Sequence, residues 1–454
     1  PCRRCAGAFQ WSVNRYMLRS LLSTWPLFFG LLLIMIGNGL LQILLGLRAA
    51  AAELSNIGTG FMMGGYFLGI FIGSLFVPRI LSNVGHIRTF GALSAIASAA
   101  ALIHVITDNA GIWAGMRLLT GFTYAGMYIV VESWLNEKAT NQTRGQILSI
   151  YMVITMGGMG LGQMLGGLDD GVTSFLFIIA SVFVSIAVVP ILVTAGQAPE
   201  FSAPEQVSLR RLYSISPLAM VAMLFSGVST AMTFGMGTAY AKSIGMTSSQ
   251  ASLFLVAVTI GTMVLQYPVG RLSDILDRRL VIFLVAIISA LAAAAAAFFS
   301  AEQFWPLIIL MALYGGFSMT IYSLCIAHAN DYLTPSQMVG TASTLIMVNG
   351  IGAVVGSPLI AVFMEFVSNR AYFAGLVIVH IATGVYALAR MKARAPVPAE
   401  AQGPFIAVPE AGTAIAATLN PEAAWDDITE DDDLATAMLS ANPYLDFPAQ
   451  TDNT

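Results

Sequence analysis

Arg117, Glu132 and His328 are ionisable residues set inside long apolar runs. A charged side chain at the centre of a bilayer costs about 2.5 to 3.5 kcal/mol on insertion scales, so each needs a reason to be there. Glu132 lies about one helical turn from the end of its run, and His328 falls at nearly the same depth in a later run. A carboxylate and an imidazole withdrawn from bulk water are both suited to holding and releasing a proton. The alternative is that both reach the interface and cap a helix end. Arg117 sits in the outer half of its run. A guanidinium there is expected to face a cavity, to pair with a polar run such as that of Asn38 and Gln42, or to be satisfied by backbone carbonyls. His104 and His380 fall in runs expected at the periphery, where a packing role is favoured.

A second group of charges gathers in the decapeptide GRLSDILDRR, residues 270 to 279, between two runs long enough to cross a bilayer. Such a short loop is a hairpin between membrane helices, and the positive-inside bias holds its arginines on the cytoplasmic side. A weaker twin, PRILSNVGHIR, occupies residues 78 to 88. Pro78 aligns with Gly270, Ser82 with Asp274 and Gly85 with Asp277 at one offset, so the chain reads as duplicated. Asp274 and its arginines can exchange ion pairs with the neighbouring half as the two sides open and close in turn; merely anchoring helix ends is the simpler role.

Composition says what must position these groups. Hydrophobic residues make up 57% of the chain, charged residues 10%, and mean hydropathy is +0.79. Soluble domains carry about 25% charged residues, and a spanning helix needs about 20 mostly apolar ones. Twelve such runs follow, roughly 25–47, 56–78, 89–106, 111–135, 146–168, 172–194, 215–239, 249–270, 280–300, 304–329, 341–363 and 371–390. Only helices or closed barrels satisfy the backbone in hydrocarbon, and runs this long mean helices. The first run is too long for a signal-peptide core and is expected to remain as an anchor. The first residue is Pro, so the start of the natural chain is expected to lie elsewhere.

With the N-terminus cytoplasmic, every Lys and Arg except Arg48, Arg117, Lys242 and Arg370 falls in the arm, an inner loop or the end of the last helix. Both termini are therefore expected inside. Residues 1–24 form a basic arm, 25–194 a first half, 195–214 a Pro- and charge-rich linker, and 215–392 a second half. Gly121-Phe122 matches Gly316-Phe317, Gly145 matches Gly340 and Gln163 matches Pro358 at a single offset, as a tandem repeat preserves. Residues 395–454 hold 11 of the 24 acidic residues and no Lys or Arg. The whole of 393–454 is expected to be an acidic, disordered cytoplasmic tail.

These features together resemble the major facilitator superfamily, whose loop signature has the form Gly-x-Leu-x-Asp-Arg-x-Gly-Arg-Arg. The second copy keeps Gly270, Leu272, Asp274, Arg278 and Arg279 and has Asp277 at the second glycine. The first keeps Gly85 and has Ser82 at the aspartate. Arg117 to Gly121 is similar to the family's Arg-x-x-x-Gly, Glu137 and Arg144-Gly145 to its sugar-porter loop, and GQMLGG (162–167) to its efflux-type glycine pattern with Gln163 at the proline. ESWLNEKATNQTRG (132–145), RLLTGF (117–122) and CIAHAND resemble the YcaD-like bacterial branch. The resemblance implies an all-α membrane protein of twelve transmembrane helices in two pseudo-symmetric six-helix bundles. It implies gating by Arg88, Glu137, Arg144, Asp274, Arg278, Arg279 and Asp331. It also implies a cavity bearing Asn38, Gln42, Tyr124, Tyr128, Gln163, Thr230, Thr233, Gln266, Tyr314, Tyr322 and Asn349, while the charges within spans make Arg117, Glu132 and His328 the candidates for transport or proton coupling.

The expected function is secondary transport of a small organic molecule across the bacterial inner membrane, by a monomer in lipid, with the proton as coupling ion and export as the direction. Uptake or facilitated diffusion of a metabolite and a non-transporting sensor are the alternatives. Catalytic and phosphate-loop signatures are absent, so no enzyme activity, cofactor or ATP drive is expected. Cys2, Cys5 and Cys325 do not complete a metal site, so no metal is expected. The net charge of −4 gives no support to nucleic-acid binding.

Overall fold

The computed structural model describes residues 3–140, 143–168, 173–193, 207–393, 395–398, 402–410 and 412–421, with side chains from Thr24 onward except at Val193, Ser336 and Ala414. No strand occurs among them. The first half comprises α1 (Arg3–Ala51), α2 (Asn56–Val84), α3 (His86–Ile106), α4 (Ala110–Lys138), α5 (Arg144–Gly166), and α6 (Phe175–Ile186) continued by α7 (Val188–Val193). A short α8 (Leu209–Ile215) leads into the second half. That half comprises α9 (Pro217–Ser243), α10 (Ser248–Ile275), α11 (Arg278–Ala296), α12 (Phe304–Ser318) continued by α13 (Thr320–Asn330), α14 (Pro335–Phe366) and α15 (Ala371–Ala393).

Among the described residues 11 helices are long and apolar enough to cross a membrane. The twelfth span is α4, 29 residues long, in which Arg117, Glu132 and several glycines dilute the apolar run. Helices begin where side chains satisfy their free N–H groups: Ser55 accepts from Gly58, Asn109 from Gly111 and Ile112, and Thr247 with Gln250 forms a capping box. Large apolar side chains such as Phe61, Phe76, Leu291, Trp305 and Phe366 face outward, as a lipid-facing surface requires. Residues 3–23 continue α1 without a break, so the expected arm is an extension of the first helix.

Duplication shows in the pairing of helices. In the first half α2 packs on α4, α1 on α5 and α3 on α6; in the second, α10 packs on α12, α9 on α14 and α11 on α15. Glycines set these seams. A Cβ on Gly69 would come within 2.0 Å of the Leu118 carbonyl, and one on Gly121 within 2.0 Å of the Tyr66 carbonyl. In the second half a Cβ on Gly261 would meet the Ala312 carbonyl at 1.8 Å. Small residues let backbones touch in lipid, where apolar burial gives no preference for protein over lipid. The glycines of the GQMLGG stretch do the same work: a Cβ on Gly162 would lie 2.1 Å from the Ile36 carbonyl of α1. Gly162→Ala is therefore expected to destabilise the chain by about 1–3 kcal/mol, as overpacking does. A lowered melting temperature in detergent, beside an unchanged one for Gly157→Ala at an open position, checks this.

The halves meet along α2 with α14 and α5 with α10, again repeat-related pairs, and along α1 with α9. These contacts concentrate away from the basic turns. The Asn56 amide N–H donates to Glu365 at 2.8 Å, the Ser249 hydroxyl to the Gly167 carbonyl at 2.8 Å, and Gly64 lies against Pro358. The end bearing Arg79, Arg88, Arg271 and Arg279, here called the basic end, has no direct hydrogen bond between helices of the two halves among the described residues. Of the expected linker, residues 195–206 lie outside the described residues, and Val207 exchanges two hydrogen bonds with Thr344 of α14.

The expected solvated tail does not describe residues 402–421. This stretch enters from the basic end and packs between the halves. Ile415 and Leu419 join the core of the first half, while Val408, Ala416 and Ala417 join that of the second. The physical reason is compositional: Glu410 is the stretch's sole charged residue, and its apolar side chains gain by leaving water. Residues 422–454, with the acidic run, lie outside the described residues.

Candidate functional site

Between the halves lies a cavity of about 160 Å³. Its wall draws on α1, α2, α4 and α5 from one half and α9, α10, Met319 between α12 and α13, and α14 from the other, with Val408, Glu410, Gly412 and Thr413 reaching in from the tail. Of the expected cavity residues, Asn38, Gln42, Tyr128, Thr230, Gln266 and Asn349 line it. They are held in place by partners. Asn38 donates to the hydroxyls of Tyr66 at 2.8 Å and Tyr128 at 3.0 Å, and Gln266 to Ser323 at 3.1 Å. Gln42 donates across the halves to the Phe234 carbonyl at 3.3 Å.

The other five expected residues stand behind the wall instead. Gln163 is fully buried at the seam, donating to Gln42 at 3.0 Å and accepting from Thr259 at 2.9 Å, so it joins α5 to α1 and to α10 of the other half. Tyr314 is taken up by Ser229 at 2.9 Å and Thr233 at 3.1 Å, under the ring of His380. That places Thr233 in the same buried network. Tyr124 packs edge-on between Tyr66 and Tyr128, and Tyr322 is buried in the second-half core. Helix periodicity places a tyrosine near mid-span, whereas its rotation about the helix axis is fixed by packing.

Arg117 is buried with its guanidinium carbon 4.3 Å from the centre of the Tyr66 ring. Its Nε and Nη1 have no hydrogen-bond partner among the described residues. It therefore does not reach Asn38 or Gln42; it backs Tyr66, whose hydroxyl accepts from Asn38. A cation over a desolvated ring is worth about 2 kcal/mol or more. Arg117→Ala is expected to lower transport about tenfold or more by releasing Tyr66, with Arg117→Lys partly restoring it. Flux normalised to folded protein is the measurement.

Glu132 is fully buried. The Tyr151 hydroxyl donates to its Oε1 at 2.5 Å, and the Thr413 backbone N–H donates to the same oxygen at 2.9 Å. The Thr413 hydroxyl donates to Oε2. His328 is not part of this set: it packs edge-on against Tyr332, 5.4 Å between ring centres, in the second half. His104 donates to the Ala100 carbonyl and His380 to the Leu376 carbonyl, while the other ring nitrogen of His380 meets the Ser318 hydroxyl of α12 at 2.8 Å, in keeping with packing roles.

The gating charges divide. Arg278 is buried and donates to Asp331 at 2.6 Å, Asp274 at 3.2 Å and the Ala327 carbonyl at 2.9 Å. Arg279 pairs with Asp277 at 2.7 Å. Burial works to raise the Asp277 carboxyl, but the hydrogen bonds and charge of Arg279 outweigh it and hold the group below its ordinary range. These pairs all lie within the second half, so the expected exchange with the neighbouring half is not made in this conformation. Arg88 and Glu137 are exposed, Arg144 is half-buried, and no ion pair among the described residues joins them.

The two signature turns close differently. Gly85 adopts φ 86°, a left-handed value that favours glycine. Asp277 turns with φ −53° and caps α11 by accepting from the Arg279 N–H at 3.0 Å. The aspartate at a glycine position thus has a structural account.

Tyr66, Tyr151, Glu410 and Thr413 were not anticipated. Tyr66 carried a signal, standing directly after Gly64-Gly65 in a helix whose glycines at 65, 69 and 73 mark one packed face. For the tail, the signal was the apolar stretch 402–421 preceding the acidic run.

Two six-helix halves sharing one cavity, largely apolar with a few amides and hydroxyls, define the class: a polytopic membrane transporter. The sequence profile of the Major Facilitator Superfamily matches residues 27–238 and 218–442, and the chain belongs to that superfamily. It is 25% identical over 346 residues to the "Uncharacterized MFS-type transporter YcaD" of Salmonella arizonae, spanning 76% of this chain and 89% of that one. The YcaD protein of Salmonella typhi is 24% identical over 349 residues, with the same coverage. Among solved structures, the nucleoside transporter NupG superposes with a TM-score of 0.64 at 13% identity, over 81% of this chain and 98% of that one. A bacterial homologue of the human lysosomal transporter Spinster, inward-facing and occupied, gives 0.63 at 15% identity over 81% and 94%. The D-xylose-proton symporter gives 0.61 at 14% identity over 81% and 97%.

Proposed function

We propose that this transporter moves a small organic molecule by alternating access, driven by protons, across the bacterial inner membrane with its basic end in the cytoplasm. The observation that carries the reading is the cavity itself. Its polar groups come from both halves, and the halves are joined at the end opposite the basic turns. Rocking about that seam would expose the same groups to the other side. Its wall combines aromatic and methionine side chains with amides and hydroxyls, a surface suited to an amphiphilic cargo. Glu132, a carboxylate on a spanning helix beside the cavity, is the proposed proton carrier, with export as the proposed direction. The superfamily's membership in bacterial membranes and the distribution of Lys and Arg support the location and orientation.

The test is flux in proteoliposomes with an imposed pH gradient, using a cargo first found by its stabilising effect on the purified protein. Collapse of the gradient is expected to abolish accumulation. Accumulation that is unchanged without the gradient would remove the proton claim, and accumulation of opposite sign would reverse the direction.

A further inference from the structure

We propose that residues 402–421 are a tethered ligand of the cavity mouth, occupying the groups that cargo must use and blocking the path from the basic end until the segment leaves. The inference rests on reading the cavity as the cargo path. Three sets of contacts, independent of one another, hold the segment. At the mouth, the Phe405 N–H donates to Asp274 at 2.7 Å, the Gly403 carbonyl accepts from Arg278 at 2.8 Å, and the Phe405 ring lies over Gly270, where a Cβ would intrude. Deeper, Ser323 both donates to the Val408 carbonyl at 3.0 Å and accepts from its N–H at 3.1 Å. In the cavity, the Glu410 carboxylate accepts from the Thr230 hydroxyl at 2.5 Å and from Asn349 at 3.3 Å, while Thr413 covers Glu132.

The segment thus takes donors and acceptors from the second half and an acceptor, Glu132, from the first. Among the described residues it bridges the halves by hydrogen bonds at the end where their helices make no direct ones. A segment that bonds both halves holds their separation at that end fixed. Rocking requires that separation to change, so occupancy and movement exclude each other. The wall offers no Lys, Arg or His to Glu410 among the residues that line it, so its carboxylate is held by neutral donors alone.

This arrangement also couples occupancy to pH. Burial raises the Glu410 carboxyl from 4.5 to about 7, against the hydrogen bonds of Thr230 and Asn349. The docked segment therefore binds a proton that the free segment releases. Docking is strongest below about 4.5, weakens as pH rises, and loses this contribution once pH passes about 7. The other titratable groups in electrostatic reach are Tyr314 and Tyr322, with Glu132 acting on Tyr322 from the opposite side.

A reversible lock tests the proposal. A Cβ on Gly145 would lie 3.5 Å from Pro421 Cγ, so side chains at the two positions are neighbours and a cysteine pair there reports docking. The full chain carrying Gly145→Cys and Pro421→Cys, with Cys2 and Cys5 replaced by serine, is reconstituted and oxidised. We expect an intramolecular crosslink, flux reduced at least tenfold in the oxidised protein, and recovery on reduction. The ratio of crosslink yield with Glu410 to that with Glu410→Gln is expected to fall as pH rises toward 7, a comparison in which thiol chemistry cancels. Absence of the crosslink, or equal flux in the oxidised and reduced forms, overturns the proposal. A crosslink with no flux in either form leaves the docked segment standing and counts against the transport reading, since crosslinking is read without cargo.

Discussion

Glu132→Gln is expected to abolish accumulation driven by a pH gradient while leaving equilibrium exchange of cargo at equal pH. Glutamine keeps the size of the side chain and an oxygen that accepts from Tyr151 or Thr413, but it can neither bind nor release a proton. The carboxylate lies beside the shared cavity with each oxygen already held by a hydroxyl donor, Tyr151 on one and Thr413 on the other. Flux driven by the gradient should fall by roughly a hundredfold or more, the order of loss expected when a positioned proton-transfer group is removed. Gradient-driven accumulation retained by the variant would return Glu132 to a structural role as the anchor of Tyr151.

Asp331→Ala is expected to cost about 3–5 kcal/mol, the range for removing one member of a buried pair. Arg278 and Asp331 are each only 1% exposed, and the pair ties the start of α11 to the end of α13. Without Asp331 the guanidinium keeps Asp274, which is 35% exposed, and two carbonyls, a set too weak to offset its desolvation. Asp108→Ala is the control. Its carboxylate is 64% exposed opposite Arg48, and surface pairs contribute about 0–1 kcal/mol. Thermal unfolding in detergent should separate the two variants clearly; equal effects would show that the Arg278 pair is not buried from solvent.

Much of the fold could be read from the chain because membranes restrict the choices. Length and apolarity fix the spans, and spacing of the twin loops exposes the repeat. The spans hardest to place by hydropathy were those with work to do, as α4 shows with Arg117, Glu132 and its glycines. The site was only partly readable. Asn38, Gln42 and Asn349 announce themselves as amides in hydrocarbon, whereas Tyr124 and Tyr314 look the same in sequence whether they face the cavity or a neighbouring helix. Arg117 was identified as unusual, but its partner, Tyr66, comes from another helix and no spacing rule connects them. Residues 402–421 were hidden for a different reason. Averaging them with the acidic run beyond gave a composition that belongs to neither stretch.

The corners at Gly85 and Asp277 carry an evolutionary consequence. Sibling loops that began alike have settled on incompatible chemistries, one relying on a left-handed residue and the other on a carboxylate that caps a helix and holds Arg279. Grafting an aspartate at 85 would strain that corner, and grafting a glycine at 277 would strip an arginine of its counter-ion. Each corner's partners lie within its own half, so the two corners tolerate copying of a whole half but not exchange of single residues between them.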